Sequence, residues 1–194
     1  VLDCGGSFLM TPILGIMASG ISGTLWAPGK DYDSIATVTV GSPVSSISFS
    51  SIPATYKHLQ IRSIGRSVST NHSINLNFNG DTTSTAYWHM LYGTGSSANA
   101  YAVSTAYMFA GYQGRSTDAA NIFSANVTDI LDYANTNKYK TIRTLGGYDT
   151  NGSGELGLSS GSWASTSAVT SIVLTTGNAA NFAQYSSFAL YGVK

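Results

Sequence analysis

Ser73-Ile74-Asn75-Leu76-Asn77-Phe78-Asn79-Gly80-Asp81 is the stretch that decides the fold. Ile74, Leu76 and Phe78 alternate without a break with Ser73, Asn75, Asn77 and Asn79. Successive side chains of a strand point to opposite faces, so the apolar residues face a core and the amides face away from it. Asn79-Gly80-Asp81 then predicts a turn, because Asn and Gly accept positive φ at little cost.

The same alternation extends in both directions. Toward the N-terminus, Ile35, Thr37 and Thr39 alternate with Ala36, Val38 and Val40. Ile47 and Phe49 alternate with serines, and Leu59, Ile61 and Ser63 face away from His58, Gln60 and Arg62. Toward the C-terminus, strands are predicted over Tyr87–Tyr92, Thr105–Tyr112, Asn121–Asp129, Tyr139–Leu145, Thr170–Thr175 and Ser187–Val193. Asp129–Tyr133 also reads as a helical turn. Gly93–Asn99, Gly146–Gly154 and Ser159–Ser167 read as loops, rich in Gly, Ser and Asn. No segment of helix length shows an apolar period near 3.6. The expected class is all-β: an antiparallel β-sandwich, jelly-roll-like, with an extended apolar N-terminal arm. Residues 1–29 form the arm and residues 30–194 one domain, with Ala27-Pro28-Gly29 as the break between them.

Charge excludes one class of function. Only 9% of the 194 residues are charged, against roughly 25% in ordinary soluble domains. Nine Lys/Arg balance nine Asp/Glu, which leaves no basic excess for neutralising phosphates and argues against nucleic acid as a partner. A weakly charged surface also lacks the repulsion that keeps free proteins apart. Coverage of much of that surface by neighbours is therefore expected.

The arm is uncharged from Cys4 to Gly29. It is long enough to span a bilayer, but Pro12, Gly15, Gly20 and Gly23 dilute it and no basic cluster flanks it. It reads as a packing segment and not as a membrane helix or secretory signal. Its most apolar residues, Ile13, Leu14, Ile16 and Met17, are the expected partner-binding side chains.

Motifs that could carry chemistry are weak. Gly157-Leu158-Ser159-Ser160-Gly161 has the letters of a nucleophile elbow, but no helical pattern follows it. Asp149, Asn151, Ser153 and Glu155 match the opening of a calcium loop, with oxygen ligands at alternate positions and Gly154 at the sixth; Ser160 stands where the bidentate Glu is required. An ordinary hairpin loop is the simpler reading. His58, His72 and His89 lack metal-ligand spacing, and the pairs Asp31/Asp33 and Asp129/Asp132 lack the contrast of environments that acid–base work needs. Cys4, standing alone, makes no intrachain disulfide. The expectation is no catalytic residue, no metal and no cofactor. Asn71, Asn126 and Asn151 open Asn-x-Ser/Thr sequons, which matter only on a eukaryotic secretory route.

Aromatic residues concentrate mid-chain among Ser, Asn and Gly. Trp88, Tyr92, Tyr101 and Tyr112 are candidates for core packing, a subunit interface or contact with a glycan.

Three segments carry a family resemblance. Phe49-Ser-Ser-Ile-Pro-Ala-Thr-Tyr-Lys-His-Leu-Gln-Ile-Arg62, Tyr185-Ser-Ser-Phe-Ala-Leu-Tyr-Gly-Val193 and Thr11-Pro-Ile-Leu-Gly-Ile-Met-Ala-Ser19 resemble the framework motifs of virion structural proteins of tailed phages, many of them marine or cyanobacterial. Val1–Leu9 departs from that pattern. The resemblance implies a non-enzymatic component of the particle exterior: a capsid decoration, fibre or tail-associated protein. Its partners would be other virion proteins, with self-association around an axis, a trimer in the simplest case. The arm would dock in a groove on a capsid or tail protein, each buried anchor contributing roughly 1.5–3 kcal/mol before ordering costs. The alternative is a host receptor- or glycan-binding module displayed on the particle.

Overall fold

The computed structural model describes residues 31–83 and 86–194. The arm, with Cys4 and the anchors Ile13, Leu14, Ile16 and Met17, lies outside the described residues. Tyr32–Lys194 forms one compact unit. It holds twelve strands: β1 (Tyr32–Thr39), β2 (Ser46–Phe49), β3 (His58–Gly65), β4 (Ser73–Phe78), β5 (Ala86–Gly93), β6 (Ala98–Thr105), β7 (Met108–Tyr112), β8 (Ser124–Leu131), β9 (Lys140–Asp149), β10 (Gly154–Trp163), β11 (Ile172–Thr176) and β12 (Ser187–Val193). The expected all-β class holds.

The strands form two antiparallel sheets. The larger has the order β1-β12-β3-β8-β9-β10-β5-β6, the smaller β2-β11-β4-β7. Their apolar residues meet in one core. Leu59, Ile61, Ile130, Ile142, Phe188 and Leu190 come from the larger sheet, and Ile47, Phe49, Leu76, Phe78, Ile172 and Leu174 from the smaller. In the opening stretch, Ile74, Leu76 and Phe78 are buried in that core. Asn79 and Gly80 follow with φ of 54° and 67°, the positive values the sequence predicts. Asn79 then binds the segment before β11: its Oδ1 accepts from the Thr170 and Ser171 amides at 2.8 and 3.1 Å.

A second, aromatic core lies toward the β5 side of the larger sheet, made of Trp88, Met90, Phe109, Tyr112 and Tyr148. It forms because β7 turns its outer edge toward the larger sheet. An edge strand leaves backbone groups unpaired, and buried ones need partners. Here inward side chains of β8 and β9 supply them. Thr128 Oγ1 donates to the Ala110 carbonyl at 3.1 Å and Thr144 Oγ1 to that of Phe109 at 3.3 Å. Asn126 binds both backbone groups of Tyr112 at 2.8 Å. Asn126, Thr128 and Thr144 thus form a polar seam between the two sheets.

Several boundaries differ from the sequence expectation. Ser159–Ser167 is not a loop throughout, since β10 runs to Trp163. The expected loop Gly146–Gly154 shrinks to a short hairpin turn, with Asn151 and Gly152 at positive φ. Gly93–Asn99 gives way to β6, which starts at Ala98, and the single strand expected over Thr105–Tyr112 breaks between β6 and β7. Asp129–Tyr133 is no helical turn: β8 continues to Leu131, and Asp132 reverses the chain with φ 47°.

Candidate functional site

The outward face of the larger sheet is the most distinctive surface. Cross-strand registers put its residues in transverse rows. One row reads Ala189, Arg62, Val127, Leu145, Leu158, Leu91 from β12 to β5. The next reads Ile64, Ala125, Gly147, Leu156. Leu156, Leu91, Leu145 and Ile64 are 63%, 58%, 55% and 52% exposed, although each sits mid-sheet and not at a frayed end. Large apolar side chains on a sheet normally turn to the core, so a contiguous outward stripe marks an interaction surface.

The stripe is concave. A groove of about 960 Å³ runs over it, walled by Ile64, Val127, Leu145 and Leu156 and floored by the small residues Ala125 and Gly147. Arg62 borders the groove on β3, and Asp149 borders it two strands away, at the end of β9. Arg62 is held in place: its guanidinium lies 5.0 Å from the Tyr191 ring centroid and 5.4 Å from that of Tyr32, and its Nε donates to Gln60 Oε1 at 2.9 Å. Below the apolar rows runs a polar one. Gln60 Nε2 donates to Asp129 Oδ1 at 2.8 Å, and Arg143 pairs with Asp129 Oδ2 at 3.0 Å. A smaller hollow of about 310 Å³ lies beside Leu91, Leu158 and Arg143.

The four aromatic candidates come together through Phe109. Trp88 lies 5.4 Å from Tyr101 and 5.6 Å from Phe109, Tyr92 lies 5.8 Å from Tyr101, and Tyr112 lies 5.1 Å from Phe109. Trp88 and Tyr112 are buried and serve as packing, whereas Tyr101 is 44% exposed. Glu155 sits at the margin of this cluster, 3.6 Å from His72 Nε2. Burial, reinforced by the Glu155 charge, pushes the Tyr112 phenol far above its ordinary value and that of Tyr148 up to about 12. Both therefore remain neutral at physiological pH.

The remaining candidates do not converge. Asp149 and Glu155 are on opposite faces of the β9–β10 hairpin, because Glu155 opposes Tyr148 while Asp149 opposes Gly154. Asp149 Oδ1 accepts from the Asn151 amide at 2.7 Å, and Thr150 and Ser153 share a hydroxyl hydrogen bond at 2.5 Å. The calcium-loop letters spell a hairpin turn. Among the described residues no three His, Cys, Asp or Glu side chains are grouped to hold a metal. Ser159 lies within β10, buried and facing inward beside Thr144. It is on a strand and not at a strand-to-helix turn. Asn126, in the second sequon, is buried and fully engaged by Tyr112, Ser63 and Ser124.

The outward stripe escapes a reading of the sequence alone. Val127, Leu145, Leu156 and Leu158 belong to strands whose alternation gives a period but no direction. The only signal in the chain was Leu156 and Leu158 flanked by Gly and Ser, residues too small to form a core face. Compared with protein-family models, curated proteins and solved structures, the chain finds no match.

Proposed function

We propose that the chain is a non-enzymatic structural component of a tailed-phage particle, attached through its N-terminal arm, and that its body is a jelly-roll β-sandwich. The observation that carries this reading is the exposed apolar stripe over β8, β9 and β10, a surface suited to assembly and not to turnover. Strand order supports the architecture. Number β1, β2, β3, β4, β7, β8, β11 and β12 as first to eighth. One sheet then contains first-eighth-third-sixth and the other second-seventh-fourth-fifth. Two nested Greek keys give that interleaving in the jelly rolls of capsid and lectin domains. The hairpins β5-β6 and β9-β10 are insertions that widen one sheet, and the stripe lies mostly on strands they add or adjoin. The resemblance of Phe49–Arg62 and Tyr185–Val193 to virion proteins supports the same reading, since the two segments run into β3 and β12, which are paired neighbours in the larger sheet.

Deleting residues 1–26 is expected to leave a folded body that no longer enters particles. Circular dichroism of the truncated chain and its copy number in purified particles check both halves. Incorporation at full occupancy would defeat attachment through the arm.

A second reading, a glycan-binding module, is favoured by Tyr92 and Tyr101 at the surface of the aromatic cluster, since sugar rings stack on such faces. If it holds, Tyr101→Ala abolishes binding on a glycan array while leaving the melting temperature unchanged. An array blank for the unmodified chain removes this reading.

A further inference from the structure

We infer that the stripe is a two-fold contact with a second copy of this chain. The inference rests on reading this face as an assembly surface and names its occupant. Arg62 on β3 and Asp149 on β9 stand diagonally across the groove, with the apolar side chains of Val127, Leu145 and Ile64 around the line between them. Such a surface is complementary to itself. In an isologous contact residue i meets residue j and j meets i, so a patch with opposite charges set diagonally across it can pair with its own copy.

The sheet's lattice says where the axis falls. Arg62 is two strands from β9, across from Val127 and Leu145, and Asp149 lies four residues beyond Leu145 along β9. With strands about 4.8 Å apart and about 3.3 Å per residue, the line equidistant from Arg62 and Asp149 runs over Ala125 and Leu158. A two-fold laid along that line stacks the leucines of the two copies and sets each Arg62 over the other's Asp149. Arg62 is pre-positioned for this between Tyr32 and Tyr191, which limits the ordering cost of a long side chain.

Area agrees. The outward face of the six strands from β12 to β5, of which the stripe is the apolar part, is about 24 Å across and about 30 Å along the strands and offers about 700 Å². A standard interface buries roughly 800 Å² per partner. The chain's balanced charge, nine Lys/Arg against nine Asp/Glu, sets no net repulsion between copies.

Sedimentation equilibrium of the full chain tests the contact. The wild type is expected to be a dimer. Leu145→Asp should weaken association by at least about 30-fold, the loss of a central hot spot. Arg62→Glu and Asp149→Arg should each weaken it, since each sets like charges opposite one another, and the Arg62→Glu/Asp149→Arg double variant should recover it. That recovery cannot come from misfolding or from an unrelated apolar contact. A monomeric wild type, a trimer, an unaffected Leu145→Asp variant or a double variant no better than its parents overturns the inference. Particle incorporation of the same variants separates the two readings. A wild type that is monomeric in solution yet enters particles normally sinks the two-fold contact and leaves the particle role intact. A charge-rescued dimer that never enters particles does the reverse.

Discussion

Replacing Gly146 with alanine is expected to cost about 3 kcal/mol or more, as an overpacked site that also breaks a buried hydrogen-bond network. Gly146 on β9 lies directly across from Asn126 on β8. A methyl group built on it meets the Asn126 amide head-on, with the side-chain Cγ only 2.7 Å away. Asn126 cannot retreat. Its Oδ1 accepts from the Tyr112 amide at 2.8 Å, while its Nδ2 donates to the Tyr112 carbonyl at 2.8 Å and to Ser63 Oγ at 3.1 Å. Moving it strands the Tyr112 amide, leaves the Tyr112 carbonyl to Ser124 Oγ alone at 2.6 Å, and loosens the end of β7. Urea unfolding of Gly146→Ala, Asn126→Ala and the double variant measures the effect. Because Asn126→Ala vacates the space that the new methyl needs, the double variant should cost clearly less than the sum of the singles. Gly41→Ala, at a position with nothing within 4 Å, is the control and should change stability by less than about 0.5 kcal/mol. Strict additivity, or a Gly146→Ala loss below about 1 kcal/mol, would show that Asn126 is not the fixed point we take it for.

The same glycines explain which strands were legible. β4 shows its nature in the sequence because Ile74, Leu76 and Phe78 fill the core and amides fill the other face. β10 does not. Its inward positions are Gly157, Ser159 and Gly161, small because the Tyr112 ring lies over Gly157 and Ile142 crowds Gly161. Its outward positions include Leu156 and Leu158, both exposed. Read along the chain, that inverted pattern looks like a Gly/Ser loop; only the partners β9 and β5 reveal a strand. β6 is missed for a different reason, being an exposed edge of Ala, Asn and Ser with little apolar contrast. The stripe depends on which residues of neighbouring strands stand abreast. Val127, Leu145 and Leu158 are far apart in sequence and meet only through two registers. The aromatic group was legible as composition, but its split into buried Trp88 and Tyr112 and exposed Tyr101 was not. That split depends on Phe109, which lies between Trp88 and Tyr112.

Lys140→Met is expected to cost about 3 kcal/mol at neutral pH, because it leaves buried carbonyl acceptors without their donor. Lys140 is wholly buried at the start of β9. Its Nζ donates to the carbonyls of Asn135, Lys138 and Thr166 at 2.5, 3.0 and 3.2 Å. These carbonyls belong to the β8–β9 connection and to the chain after β10, so the ammonium adds to the backbone bond from the Val169 amide to the Tyr133 carbonyl that also joins these two loops. Methionine keeps the length and leaves three acceptors without a donor. Carbonyl dipoles favour the ammonium, but burial and the nearby charge of Lys138 outweigh them, and Lys140 titrates below its ordinary 10.5. The sign follows from linkage. Between the folded value and that of the unfolded chain, the unfolded state binds more protons, so wild-type stability rises with pH through that window. Methionine has no proton to lose, so the wild type's advantage over Lys140→Met should widen as pH rises toward 10.5. Lys138→Met, on the exposed partner of Asp132, should change stability by less than about 1 kcal/mol, as surface pairs do. Urea unfolding at neutral and alkaline pH decides the matter. A gap that stays constant with pH would mean that water reaches Lys140 in the folded protein and that its ammonium is not held in a desolvated site.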